Sequence, residues 1–163
     1  MSKYDYNIIV IGAGSAGLVS SYIASAIKAK VLLIEKYKMG GDCLNTGCIP
    51  SKALIRSAKM LSYARRAKEF GFKKTELKFE FQDIMKRVQS IIKSIEPNDS
   101  RDRYTKLGVD CIDGTGKLVS PHSVEVNGKV LTARSIIIAT GAGPMVPNIQ
   151  AVSYTHLTLP TTD

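Results

Sequence analysis

The chain has 163 residues, 44% of them hydrophobic, with 23 Lys and Arg against 14 Asp and Glu, giving a formal net charge of +9. That length allows one domain, or one and a half, whose core buries roughly 70% of the unfolded surface, and the composition excludes a disordered tail. No apolar run approaches the roughly 18 residues that cross a bilayer, so no membrane partner is expected.

Asn7-Ile8-Ile9-Val10-Ile11 is β-rich and almost entirely apolar, as in a strand buried on both faces of a parallel sheet. It runs into Gly12-Ala13-Gly14-Ser15-Ala16-Gly17. A helical pattern follows, in which Leu18/Val19, Tyr22/Ile23 and Ala26/Ile27 recur every four residues and predict one apolar stripe turned to a sheet. Val31 to Ile34 is a second buried strand, ending at Glu35, so the opening segment reads as a parallel β-α-β unit. Tyr37 to Pro50 is loop-like. A helix is predicted to run on to about Glu69, with Leu54, Ala58 and Leu61 on one side and Gly71 as its stop. Ile84, Val88, Ile91, Ile92 and Ile95 mark a second long helix, interrupted by Pro97. Val109 to Ile112 is a third strand. Short strands are predicted around 117–119, 123–126 and 129–131, with a hairpin turn at Asn127-Gly128, and a last buried strand over 135–139. The expected fold class is α/β: a Rossmann-like domain with a parallel sheet, crossover helices and a small antiparallel meander. Residues 152–163 continue none of these patterns. They read as translated sequencing-adapter sequence, so the domain is expected to occupy 1–151. A genuine, poorly structured segment is the alternative.

Gly12-x-Gly14-x-x-Gly17 stands after a strand and opens a helix, with an acid 18 residues beyond at the end of the next strand. In that context Gly12 permits the tight turn, Gly14 lets the backbone approach a diphosphate, and Gly17 lets helix and strand pack closely. The helix dipole and its free N–H groups favour the phosphates. Glu35 can accept the hydroxyls of an adenosine ribose and would repel a 2′-phosphate. A glycine-rich turn with no ligand is the plain alternative.

The N-terminus lacks the apolar segment of a signal peptide, so the expected location is a reducing cytoplasm. There the three cysteines are expected to be catalytic, metal-binding or inert rather than structural disulfides. Cys43 and Cys48 lie five positions apart at a predicted helix start, where a thiolate is stabilised. A zinc site lacks further ligands at suitable spacing, so no metal is expected. Two inert thiols and a reversible disulfide both remain open from the residues alone; Cys111 reads as packing. The basic run from Lys52 to Lys74 holds eight Lys or Arg and one acid, Glu69. Apolar residues interrupt it at helical spacing and no aromatic platform accompanies it, so it reads as a solvated helix face rather than a nucleic-acid surface.

The run Gly40-Gly41-Asp42-Cys43-Leu44-Asn45-Thr46-Gly47-Cys48-Ile49-Pro50-Ser51-Lys52 closely resembles the active-site signature of class I pyridine nucleotide–disulfide oxidoreductases. With the glycine turn, Glu35, Gly114-Thr115-Gly116 and Ala139-Thr140-Gly141, the resemblance covers about 1–150. It implies FAD bound in this domain, NAD(P)H in a second domain and a homodimer formed through a third. It implies that Gly12, Gly14, Ser15, Ala16 and Gly17 hold the diphosphate, and that Glu35 and Lys36 serve the adenosine. Gly40, Gly41, Asp42, Gly116, Ala139, Thr140 and Gly141 would line the cofactor. Cys43 matches the interchange thiol, Cys48 the flavin-side sulfur, and Lys52 the cation near the reactive flavin nitrogen. A small dithiol, disulfide or lipoyl substrate is implied, with dihydrolipoamide dehydrogenase and mercuric reductase the nearer variants and glutathione reductase the further. Gly143 stands where the pattern has arginine. The nicotinamide domain and the partner's His–Glu acid/base pair are not in these residues, so the chain alone is expected to bind FAD weakly and not to turn over. A non-catalytic nucleotide-binding module is the reading from another class.

Overall fold

The central strands are apolar on both faces because both faces of their sheet are covered. The computed structural model describes residues 3–73, 76–143 and 145. β1 (Tyr6–Ile11) leads through α1 (Ser15–Ala26) to β2 (Val31–Glu35), which pairs parallel with β1, Ile11 opposite Ile34. Two short helical pieces and two longer ones follow: α2 (Gly41–Asn45), α3 (Cys48–Arg65), α4 (Phe81–Ile95) and α5 (Arg101–Lys106). The chain then returns to the sheet as β3 (Val109–Asp113), parallel to β2. β4 (Lys117–Ser120), β5 (Ser123–Val126) and β6 (Lys129–Ile138) form the antiparallel meander, and β6 runs on to pair parallel with β1. The strand order is β3-β2-β1-β6-β5-β4, the expected mixed α/β architecture.

Alternate side chains of the same strands feed two cores. Val10, Val31, Leu33 and Val109 pack with Leu18 and Ala24 of α1 and Tyr104 of α5. Ile9, Ile11, Leu32 and Ile34 pack with Val124, Val126 and Ala133 of the meander. The meander is therefore the second cover of the sheet.

Four expectations are corrected. The inward face of α1 is not the stripe of large apolar residues. Gly17, Leu18, Ser21, Ala24 and Ser25 are buried, whereas Val19, Tyr22, Ile23 and Ile27 are exposed. Small residues let the helix lie close to the sheet, and proximity outweighs the size of the buried side chains. The hydroxyl of Ser25 donates to the Leu107 carbonyl. Second, the predicted strands at 129–131 and 135–139 are one strand. Ala133 is fully buried and stands opposite Tyr6, so the segment between them has its own place in the ladder. Third, the segment from Tyr37 to Pro50 is not a continuous loop: α2 and the start of α3 lie inside it. Fourth, α3 ends at Arg65, and a separate 3-10 turn (Ala67–Phe70) carries the chain to Gly71, whose φ of +78° makes the stop. Ala58 is exposed; Ala53 is the buried residue of α3. The Asn127-Gly128 turn forms as expected, with φ of +51° and +75°.

The N-terminal end of β1 is tied to β3 by the Tyr6 hydroxyl, which donates to Asp110 at 3.1 Å. Partial burial, with Asp110 as acceptor and negative neighbour, pushes the Tyr6 phenol up to about 12 from its ordinary 10.0. A group whose folded value is raised stabilises the fold fully below its unfolded value and loses that contribution as pH rises through the folded one. Stability is expected to fall from about pH 10 to 12. Tyr6→Phe should flatten that limb in pH-dependent melts; a limb of the same slope would contradict the assignment.

Candidate functional site

β1, β2 and β6 end level with one another, and carbonyls at the ends of β1 and β2 anchor the loops beyond. Gly12 N–H donates to Ile34 O at 2.8 Å, Ala139 N–H to Ile11 O at 2.8 Å, and Gly114 N–H to Glu35 O at 2.8 Å. The loops bound a crevice of about 1000 Å³ outside the carboxyl ends of the strands. It opens where the chain order of the parallel strands reverses about β1, the usual position for a ligand in such sheets.

Two glycines of the opening turn are fixed by close approach. A Cβ on Gly12 would strike the Ala139 carbonyl, and one on Gly17 would strike the Gly12 carbonyl. Gly14 differs: its backbone is extended, it lines the crevice, and a Cβ there would meet only Gly41 Cα, at an ordinary contact distance of 3.9 Å. No side chain caps α1 and no acid stands in its first turn. The first N–H groups of a helix have no intrahelical partner, so this end offers donors and positive potential to a diphosphate. The donor set and the missing Cβ fit a dinucleotide.

Glu35 leaves the end of β2 and is held from two sides. Ala13 N–H donates to its Oε2 at 2.6 Å, and Tyr37 N–H donates to its Oε1 at 2.8 Å. The carboxylate thereby joins the glycine turn to the loop after β2 at the wall of the crevice. Gly116 lies over the sheet ends, where a Cβ would come within 3.2 Å of Ile11.

The cysteine segment is seated on the same turn. Gly40 N–H donates to Ala13 O at 2.9 Å. A Cβ on Gly41 would approach Gly14 Cα to 2.6 Å, so α2 rests directly on the glycine turn. Asn45 clamps this corner by donating to Met39 O at 3.1 Å and Gly41 O at 2.8 Å. Cys43 lies within α2, half-buried, and Cys48 is the first residue of α3, exposed; both are free thiols. The neighbouring Cys48 thiol, with some burial, holds the Cys43 thiol above its ordinary range; Ser15 and the Lys52 cation pull it the other way. The lowering expected at a helix start does not prevail for Cys43, whose helix is a single turn and whose thiol is raised chiefly by the neighbouring Cys48.

Most predicted site residues converge. Gly12, Gly14, Ser15 and Ala16 line one wall of the crevice, Glu35 and Lys36 a second, Gly41, Asp42 and Cys43 a third, and Gly116, Ala139, Thr140 and Gly141 the fourth. Four stand back from it. Gly17 is buried under the turn, Gly40 is buried behind Leu44, and Cys48 and Lys52 reach the site through Cys43. Sequence reasoning missed Tyr37, Lys38, Asn45 and Thr46, which also line the crevice; adjacency to Glu35 and to Cys43 was the available signal. Cys111 is half-buried in β3, and burial raises its thiol. Among the described residues no cluster of three or more His, Cys, Asp or Glu is placed to hold a metal. Nor is any described helix long and apolar enough to cross a membrane.

Fold and site together define a Rossmann-like dinucleotide-binding domain that carries two cysteines beside its glycine turn. A family model described as pyridine nucleotide-disulphide oxidoreductase matches residues 6–163, and the chain belongs to that family. Members of the family use FAD and NAD(P)H. The chain is 39% identical to a dihydrolipoyl dehydrogenase of Acholeplasma laidlawii, over 96% of its own length and 46% of the relative's. It is 34% identical to a mercuric reductase of Bacillus cereus, covering 90% of this chain and 23% of that one. A dihydrolipoyl dehydrogenase of Mycoplasma genitalium is 34% identical over 86% of this chain and 31% of its own. The chain thus spans less than half the length of these relatives.

Proposed function

We propose that the chain is the FAD-binding, redox-active part of a flavin-dependent disulfide oxidoreductase of the dihydrolipoyl dehydrogenase type. In this reading it occupies 1–151, with 152–163, which lie outside the described residues, as a non-native tail. The observation that carries the reading is that Cys43 lines the crevice formed around the uncapped glycine turn, with Cys48, the first residue of α3, as the neighbour that most affects its thiol. Gly12, Gly14, Ser15 and Ala16 would hold the diphosphate, with Gly17 supporting the turn. Glu35 and Lys36 would hold the adenosine, and Gly40, Gly41, Asp42, Gly116, Ala139, Thr140 and Gly141 would shape the remaining walls. FAD, when bound, supplies the hydride chemistry. The dithiol takes the substrate side: Cys43 and Cys48 would give up two protons, and two electrons that bound FAD would accept, when the Sγ–Sγ bond forms, and would regain both when a dithiol such as a dihydrolipoyl group is oxidised to its disulfide. Lys52 stabilises negative charge at the pair. A mercuric ion as substrate is the alternative within this class, favoured by the Bacillus cereus relative.

The longer protein would add the nicotinamide-binding domain and work as a cytoplasmic homodimer, with no nucleic-acid or membrane partner. The 163-residue chain is expected to take up FAD weakly and to show no steady NAD(P)H-dependent reduction. Mild oxidation should remove two free thiols. Two-electron reduction of the FAD-loaded chain should raise a long-wavelength absorption band, lost in Cys48→Ser. A colourless chain whose thiols oxidise independently would overturn the reading in favour of a non-catalytic nucleotide-binding module.

A further inference from the structure

Cys43 and Cys48 stand on different helices, so their relation depends on how α2 and α3 are held. Both helices lie against α4. The contact between α3 and α4 contains little buried side chain: Ala53 is the buried residue of α3 and Val88 that of α4. Next to Val88, Arg87 reaches across to α3. Its Nη1 donates to the Ala53 carbonyl at 2.9 Å and, more loosely, to Ser57 Oγ at 3.4 Å. The first of these bonds is partly buried, and a charged donor on a shielded acceptor makes the stronger kind of hydrogen bond. The ion pairs among the described residues do not include Arg87.

We propose that Arg87 is a positioning residue for the cysteine pair: by tying the Ala53 carbonyl to α4 it holds α3, and with it Cys48 and Lys52, in the register that brings Cys48 to Cys43. The inference rests on the flavin–dithiol reading of this site and deepens it. Ala53 follows Lys52 directly and lies five residues after Cys48 on the same helix, so the tie acts within two turns of the sulfur. A bond to one particular carbonyl resists both sliding and turning of a helix, which an alanine contact does weakly. Arg87 touches neither sulfur nor the crevice walls; its influence passes through the body of α3.

The test is the thiol–disulfide equilibrium of the whole chain in glutathione redox buffers, without flavin, in a Cys111→Ser background where Cys43 and Cys48 are the only thiols. As the Sγ–Sγ bond forms, the pair gives up two electrons and two protons to oxidised glutathione, whose own S–S bond breaks to give two thiols. The fraction oxidised, read by mass after acid quenching and alkylation, gives the closing constant. A misplacement of about 1 Å between reacting groups can cost about a hundredfold, and Arg87→Met is expected to lower the constant by about fivefold or more. Arg87→Gln, shorter and uncharged, should match it and stands in for it should the methionine variant not fold. Lys86→Met removes the same charge from α4 at a side chain that pairs only with Asp83 among the described residues, and should stay within about twofold of the parent. A constant unmoved in the folded Arg87 variants, or lowered as much in Lys86→Met, overturns the proposal. Flavin uptake of the parent is scored separately. A lowered constant in a chain that never takes up FAD would sink the flavin reading and keep this one, whereas an unmoved constant in a flavin-loaded chain would do the opposite. A parent whose two thiols never pair overturns both.

Discussion

Gly17→Ala is expected to cost the fold itself, while Gly14→Ala should cost ligand binding alone. A methyl at position 17 would be driven into the Gly12 carbonyl, whereas at position 14 its nearest neighbour is Gly41 Cα at 3.9 Å. Overpacking of a close backbone contact costs roughly 1–3 kcal/mol. The atom the methyl would meet is backbone, not the far end of a flexible side chain, which puts Gly17→Ala at the upper end. For a chain of this size that lowers the melting midpoint by about 6–12 °C. Gly14→Ala keeps an extended backbone that alanine tolerates, so its midpoint should stay within about 2 °C of the parent. Its methyl would occupy the side from which a diphosphate approaches, and FAD affinity should fall by about a hundredfold or more, equivalent to about 2.7 kcal/mol. Melting curves and flavin fluorescence titrations on the two variants decide the matter. Equal stability losses would refute the division of labour within the motif.

Glu35→Ala is the second variant with a large expected effect. Two backbone donors, Ala13 N–H and Tyr37 N–H, end on its carboxylate. Truncation leaves both without that acceptor, and hydrogen bonds to charged groups are worth about 1.5–3 kcal/mol each when shielded from water. One of the two is partly buried and the other exposed, so water replaces part of the loss and a net cost of about 2 kcal/mol is expected. The same change frees the glycine turn from the loop after β2 and removes an acceptor facing the crevice, so FAD affinity should drop at least about tenfold. Glu35→Gln, which retains one acceptor oxygen, should fall between the parent and Glu35→Ala in both measurements. A Glu35→Gln variant as weak as Glu35→Ala would mean that the charge, and not the hydrogen-bond geometry, is what matters.

The features legible in the sequence were those set by short-range sterics. The glycine turn, the buried strands Ile8 to Ile11 and Val31 to Ile34, and the Asn127-Gly128 hairpin each follow from constraints within a few residues. Glu35 was found because strand length fixes where β2 ends. The inward face of α1 was misread because the apolar-stripe rule measures hydrophobicity, whereas the sheet selects for thinness: Gly17, Ser21, Ala24 and Ser25 admit the approach that Tyr22 and Ile23 would block. Helix α2 was hidden because five residues beginning at a glycine carry no period. The seating of Gly41 on Gly14 joins positions with no spacing rule between them. Nor could spacing reveal that Cys48 raises the Cys43 thiol, since that depends on how the fold sets the two side chains.

The outward stripe of α1 governs how the isolated chain behaves as a colloid. Val19, Tyr22, Ile23 and Ile27 present a greasy band to water, and molecules that meet along such bands cohere. What keeps them apart is mutual repulsion from the net charge of +9. That repulsion reaches about 30 Å at 0.01 M salt and only about 3 Å at 1 M. Dilute buffer therefore keeps the molecules dispersed, and brine lets the bands find each other.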